Sequence, residues 1–143
     1  MNFGNFIIGD NHPPFIIAEV SANHGGNFET ALETILEAKR RGAHAVKIQS
    51  YTADTMTLPL SGKDFEVKLD MWKGRNLYEL YKEAETPFEW HQEMFDFARS
   101  NDILLFSTPF DETAVELLES LEVPGYKLAS FELTDIPLIE SLA

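Results

Sequence analysis

The chain alternates short apolar segments with amphipathic ones, and this alternation limits the fold more than any other feature. Phe15-Ile-Ile-Ala-Glu-Val-Ser21, Ala45-Val-Lys-Ile-Gln-Ser50, Ile103-Leu-Leu-Phe-Ser-Thr108 and Gly125-Tyr-Lys-Leu-Ala129 read as buried strands. Between the first two, Asn27 caps a predicted helix that carries Phe28, Leu32, Ile35 and Leu36 and stops at Gly42. Pro87 opens a second helix with Phe88, His91, Met94, Phe95 and Ala98 on its apolar side, residues 112–121 form a third, and a fourth begins at Asp135. Residues 51–86 are a polar and aromatic excursion expected to hold short helices. Such alternation predicts an α/β fold with a parallel sheet and right-handed crossovers. Residues 1–14 stand apart as a small β-hairpin turned at Gly9-Asp10-Asn11, placed to plug the bottom of a barrel.

Two parallel architectures compete, an open doubly wound sheet and a closed barrel. No G-x-G-x-x-G follows the first strand and no P-loop is present, so the phosphate signatures of open sheets are missing. Period-two alternation puts Ile17, Glu19 and Ser21 on one face of the first strand, and Ala45, Lys47 and Gln49 on one face of the second. Phe106 pairs in the same way with Thr108, and Lys127 with Ala129. The polar members fall at the carboxyl ends, where a barrel builds its chemistry. The expectation is the N-terminal half of a (β/α)8 TIM barrel over residues 15–143, about four βα units, since a full barrel takes roughly 250 residues. Its first and fourth strands would then be open edges, with Ile17 and Phe106 uncovered.

The formal net charge of −13, from 24 acidic against 11 basic residues, sets the class of partner. So acidic a surface repels phosphate backbones and anionic lipid, which argues against nucleic acid and membranes. With no cysteine there is no disulfide, thiolate site or cysteine nucleophile. No segment reads as a signal peptide or a membrane span, and a cytoplasmic location is expected.

Against this acidic field, Glu19, Lys47 and Lys127 each interrupt an otherwise apolar strand. Charges in strands need partners. A structural salt bridge is the plain explanation, yet two lysines and one acid leave a positive surplus that asks for an anionic ligand. Thr108 and Ser130 add hydroxyl donors at the same end, completing a clamp for phosphate or carboxylate.

Glu19-Val-Ser-Ala-Asn-His-Gly-Gly26, Val46-Lys-Ile-Gln49, Phe106-Ser-Thr-Pro-Phe110 and Tyr126-Lys-Leu-Ala-Ser-Phe-Glu132 together resemble the signatures of the sialic acid synthase family. The family makes N-acetylneuraminic, legionaminic and pseudaminic acids, and the resemblance runs in order over nearly the whole chain. It implies condensation of phosphoenolpyruvate with an N-acetylated amino sugar to a nine-carbon 2-keto acid and phosphate. Lys47, Thr108, Lys127 and Ser130 would hold phosphoenolpyruvate, and Glu132 a hydroxyl of the open-chain sugar. Glu19 would sit beside the reacting carbons, Gln49 would help position substrate, and the Asn23–His24 loop would reach it. The other histidines, His12, His44 and His91, read as surface or structural residues.

The family also implies a divalent metal, manganese or magnesium, polarising the aldehyde through histidines of later strands outside this chain. A homodimer whose C-terminal antifreeze-like domain covers the partner's site is implied as well. The segment 72–90 and Ala129-Ser-Phe-Glu132 resemble the pseudaminic acid type, and Phe131 would give a 6-deoxy sugar an apolar wall. Three rival readings stay open. These are an N-acetylneuraminate or legionaminate synthase, an aldolase with a Schiff base at Lys47 or Lys127, and a non-catalytic barrel fragment serving binding or assembly.

Overall fold

A computed structural model of the chain describes residues 1–68 and 70–143; Leu69, inside the 51–86 excursion, lies outside the described residues. The N-terminal hairpin turns not at Gly9-Asp10-Asn11, as expected, but at Gly4-Asn5, between β1 (Asn2–Phe3) and β2 (Phe6–Ile7), which pair antiparallel with Asn2 opposite Ile7. Strand β3 (Ile17–Glu19), helix α1 (Phe28–Arg40) and strand β4 (Ala45–Ser50) follow as a strand–helix–strand unit. The excursion carries α2 (Ala53–Met56), a 3-10 turn at Asp70–Trp72 and α3 (Leu77–Ala84). Helix α4 (Phe88–Ser100), strand β5 (Leu104–Pro109) and helix α5 (Glu112–Ser120) come next. A 3-10 turn at Phe131–Thr134 and helix α6 (Ile136–Ser141) come last. Strands β3, β4 and β5 lie side by side in that order, all parallel, as strand–helix alternation requires. No helix among the described residues is long and apolar enough to cross a membrane.

The helix boundaries follow from the residues that cap them. Asn27 Oδ1 accepts the Thr30 N–H at 2.7 Å and opens α1, while Asp111 Oδ1 does the same for α5 through the Ala114 N–H at 2.8 Å. Beyond α1, Gly42 takes φ +91°, which a residue with a Cβ resists. One sheet face carries Val46, Ile48 and Leu105, which are buried against Ala31 and Ile35 of α1, Met94, Phe95 and Ala98 of α4, and Leu118 of α5. Each large apolar side chain removed from water there contributes about 1.5–3 kcal/mol. The opposite face carries Glu19, Lys47, Gln49 and Thr108.

The sheet edges depart from the sequence reading. The strand expected over 15–21 is limited to Ile17–Glu19, and Ile16 and Ile17 are about half exposed, since among the described residues β3 pairs with β4 alone. The strand expected over 125–129 is one parallel bridge, Tyr126 with Ser107, plus a Lys127 N–H donated to the Ser107 carbonyl at 3.1 Å. Among the described residues that segment pairs with β5 alone, and Phe3 packs so close to Gly125 that a Cβ there would lie 2.7 Å from its ring. Phe106, expected to be uncovered, is 5% exposed. Phe3 covers it edge-to-face at 5.1 Å and also meets Phe15 at 5.8 Å, so the hairpin's aromatic ring closes this end of the sheet.

The hairpin turn depends on Gly4. It takes φ +54°, and a Cβ there would lie 2.7 Å from Leu104 Cδ1. Gly4→Ala therefore combines backbone strain with overlap at the start of β5, and is expected to destabilise the fold by about 1–2 kcal/mol. Thermal melting reads this directly; an unchanged midpoint would mean that the hairpin is not packed on the sheet.

Candidate active site

The parallel register aligns Glu19 with Lys47 and Lys47 with Phe106, so these three side chains form one row across the sheet. The next row toward the carboxyl ends pairs Gln49 with Thr108. Lys47 Nζ is ion-paired with Glu19 Oε2 and donates to Thr108 Oγ1 at 3.3 Å. The salt bridge that charged strand residues called for thus exists. Lys47 is largely enclosed, its side chain 12% exposed, whereas that of Glu19 is 44% exposed. Glu19 Oε1 is taken by the backbone N–H of Ser21 at 3.0 Å. Thr108 is buried, so its hydroxyl has few partners besides Lys47.

Glu19, Lys47 and Lys127 line one open cleft of about 400 Å³, with Phe3, Phe15, Ile17 and Phe106 forming its apolar floor. Lys127 has no ion-pair partner among the described residues. One acid balances one ammonium, and the second ammonium carries the surplus that would receive an anion. Lys47 Nζ is already engaged by Glu19 and Thr108, unlike the free amine from which a Schiff base forms.

Other expected residues lie elsewhere. Ser130 is exposed, directly before the Phe131–Thr134 turn, and its hydroxyl does not cap that turn. Glu132 is half-buried, and its Oε2 is enclosed without a hydrogen-bond partner among the described residues. Phe131, expected to wall a sugar pocket, is 93% exposed and walls nothing here. Asn23 turns back on its own loop, donating from Nδ2 to the Val20 carbonyl at 2.8 Å.

His24 requires correction. It is fully buried, and its Nδ1 accepts the Gly26 N–H at 3.0 Å. Its Nε2 lies 3.4 Å from Thr86 Oγ1, and its ring meets Trp90 edge-to-face. Burial pushes its pKa down, partly opposed by a backbone hydrogen bond at Ala84. His24 thus ties its loop to Thr86 and Trp90 and does not line the cleft.

Behind the sheet runs a polar chain that strand parity alone does not single out. Ser107 Oγ lies 2.6 Å from Ser50 Oγ, which lies 2.7 Å from His91 Nε2. His91 Nδ1 is 3.0 Å from the Pro87 carbonyl. A carbonyl only accepts, so Nδ1 carries the proton, Nε2 accepts from Ser50, and Ser50 accepts from Ser107. All three side chains are fully buried, so Ser50 is no nucleophile for a dissolved substrate. The sequence signal is two hydroxyls on the helix-facing side of adjacent strands, which cannot stay buried without a partner.

Comparison with known proteins supplies the context of the cleft. Residues 34–143 match the NeuB family. Over 143 residues, 100% of this chain and 41% of the relative, the sequence is 46% identical to a pseudaminic acid synthase of Campylobacter jejuni subsp. jejuni. It is 36% identical to an N,N'-diacetyllegionaminic acid synthase of Legionella pneumophila subsp. pneumophila, covering 90% of this chain and 36% of that one. An N-acetylneuraminic acid synthetase of Leptospira borgpetersenii serovar Hardjo-bovis, solved with citrate, superposes with TM-score 0.82 at 32% identity, over 99% of this chain and 45% of that chain. The chain thus spans about 40% of the length of the curated relatives it matches. With a family match over most of its length, this chain belongs to the NeuB family.

Proposed function

We propose that this chain supplies the first strands of a (β/α)8 barrel that condenses phosphoenolpyruvate with an N-acetylated amino sugar of the pseudaminic type. Residues 1–14 serve as the hairpin cap and residues 15–143 as the first part of the barrel domain. The observation that carries the reading is the cleft where paired Lys47, unpaired Lys127 and Glu19 converge. In the reaction, the methylene carbon of phosphoenolpyruvate bonds to the aldehyde carbon of the sugar. Water then adds at the enol carbon, the bond from that carbon to the phosphate oxygen breaks, and phosphate leaves. Lys47, Lys127 and the Thr108 hydroxyl hold the anionic phosphate and carboxylate, with Ser130 contributing once its segment is packed. Glu19 lies next to the clamp, where it orients the sugar or the attacking water; Gln49 positions substrate from the next row. Glu132 holds a sugar hydroxyl, a role in keeping with its unpartnered carboxylate oxygen.

Among the described residues, no group of three or more histidine, aspartate or glutamate side chains is placed to hold a metal ion. The full-length assembly is proposed to be a homodimer.

The pseudaminic assignment is supported by the higher identity to the Campylobacter synthase, 46% against 36% for the legionaminic one. It is tested by phosphate release from the full-length protein at saturating phosphoenolpyruvate. Expected is a preference of roughly ten- to hundredfold in kcat/KM for 2,4-diacetamido-2,4,6-trideoxy altrose over N-acetylmannosamine, the scale of one unpaired buried hydroxyl. Equal values would remove the pseudaminic assignment and leave the synthase reading; release with neither sugar would remove both.

A further inference from the structure

Ser21 holds the left-handed backbone conformation, φ +48°, two residues beyond the end of β3. For a residue with a Cβ this geometry is strained, and such strain persists where surrounding contacts enforce it. The contacts that Ser21 makes are both with side chains of the candidate site. Its backbone N–H donates to Glu19 Oε1 at 3.0 Å, and its hydroxyl donates to Gln49 Oε1 at 3.1 Å. The first bond needs only the backbone, so any residue in this conformation could make it. The second needs a hydroxyl at this position.

The two bonds act on different rows of the sheet. Glu19 stands in register with Lys47, and Gln49 with Thr108. With Oε1 engaged by Ser21, the amide plane of Gln49 is fixed, and its Nε2 donors have no protein partner among the described residues. Two N–H donors held in a fixed plane, on the face that carries Lys47 and Thr108, suit an oxygen-rich ligand. Glycine would satisfy the backbone at position 21 without strain but would leave the Gln49 amide free to rotate.

We infer that Ser21 is a positioning residue that acts through Gln49, its hydroxyl fixing the amide so that the donors of Gln49 meet substrate in one orientation. This rests on the synthase reading above. Ser21 itself touches no substrate.

The test compares Ser21→Gly, Ser21→Ala, Gln49→Ala and the double variant Ser21→Gly/Gln49→Ala in the full-length protein. Ser21→Gly relieves the backbone strain and is expected to melt no lower than wild type; Ser21→Ala keeps the strain and melts no higher. Both lack the hydroxyl, so both are expected to lose kcat alike, by roughly up to tenfold for one lost hydrogen bond. The KM for phosphoenolpyruvate, held by the lysines, stays within about twofold in the same variants, because uniform binding is not what is lost. In the Gln49→Ala background, Ser21→Gly is expected to cost nothing further, the mark of one residue acting through another. Wild-type kcat in both Ser21 variants would overturn the inference, as would additive losses in the double variant or a loss that follows melting temperature. Wild-type protein that releases no phosphate with either sugar would instead overturn the synthase reading, and the two failures are distinguishable on that ground.

Discussion

Alanine at Lys47 is expected to slow phosphate release by the full-length protein by about 10²–10³, the usual loss for one positioned electrostatic group. The fold should survive the change. Glu19, the partner left behind, is 44% exposed at its side chain and regains water when the ammonium goes, so the lost pair costs little stability. The buried Thr108 hydroxyl loses its Lys47 contact and contributes the rest of the penalty. Lys127→Ala separates the two possible roles of these lysines. It leaves the Lys47–Glu19 pair untouched, yet as the second half of an anion clamp it should lose a similar factor. A lysine pair with only a structural task would give a different pattern, with a stability change at Lys47 and no effect at Lys127. Single-turnover phosphate release, together with melting curves for each variant, distinguishes these patterns. Near wild-type release from both would reduce Lys47 to a strand-end ion pair.

Much of this arrangement is legible in the sequence because parallel strands keep a strict parity. A charged residue in an apolar strand has only two faces to occupy, and the helix-facing one excludes it. Lys47 and Glu19 therefore had to lie on the cleft side, and since β3 and β4 pair in register they had to meet. The helices were equally legible, since Asn27 and Pro87 mark their starts and their apolar residues recur at helical spacing. Edges were less so. Phe15 to Ser21 has the composition of a buried strand, but composition reports what a segment can do when covered on both sides, and β3 is paired on one side only. The covering of Phe106 by Phe3 is a contact between residues about a hundred positions apart in sequence, and no local pattern encodes it.

The site residues that lie away from the cleft share one feature. A loop residue carries no parity, so its direction is set by tertiary packing. Asn23 and His24 sit in the loop after β3, and burial against Thr86 and Trp90 draws His24 away from the cleft. Ser130, Phe131 and Glu132 likewise follow a segment joined to the sheet by a single bridge. Ser21 was visible as a residue of the right parity, but its strained φ was not, since nothing in the sequence requires glycine there and none is present.

His91 carries the second large effect. His91→Ala removes an imidazole that is fully enclosed and takes away the acceptor that orients Ser50 and, through it, Ser107. The cavity and the Ser50 hydroxyl left without its acceptor together are expected to lower stability by about 3 kcal/mol or more. The same burial gives wild-type stability a predictable response to acid. Burial pushes the pKa of His91 below its ordinary 6.5, with backbone contacts at Pro87 and Phe88 opposing, and His24 is shifted the same way. Below pH 6.5 the unfolded chain binds protons at these rings that the folded chain does not. Their contribution is therefore fully present above pH 6.5 and is lost as the pH falls toward the lowered folded values. Each ring adds up to about 1.4 kcal/mol per pH unit in that window. Asp111 does not confuse the reading: burial opposes, but hydrogen bonds from Thr55 and Thr113 leave its carboxyl below its ordinary 3.8, outside the window. Chemical unfolding at pH 7 and pH 5 should show a clear loss in wild type and a smaller loss in His91→Ala, where His24 alone of the two rings remains. An identical slope in the two proteins would mean that burial does not hold His91 neutral in the folded chain.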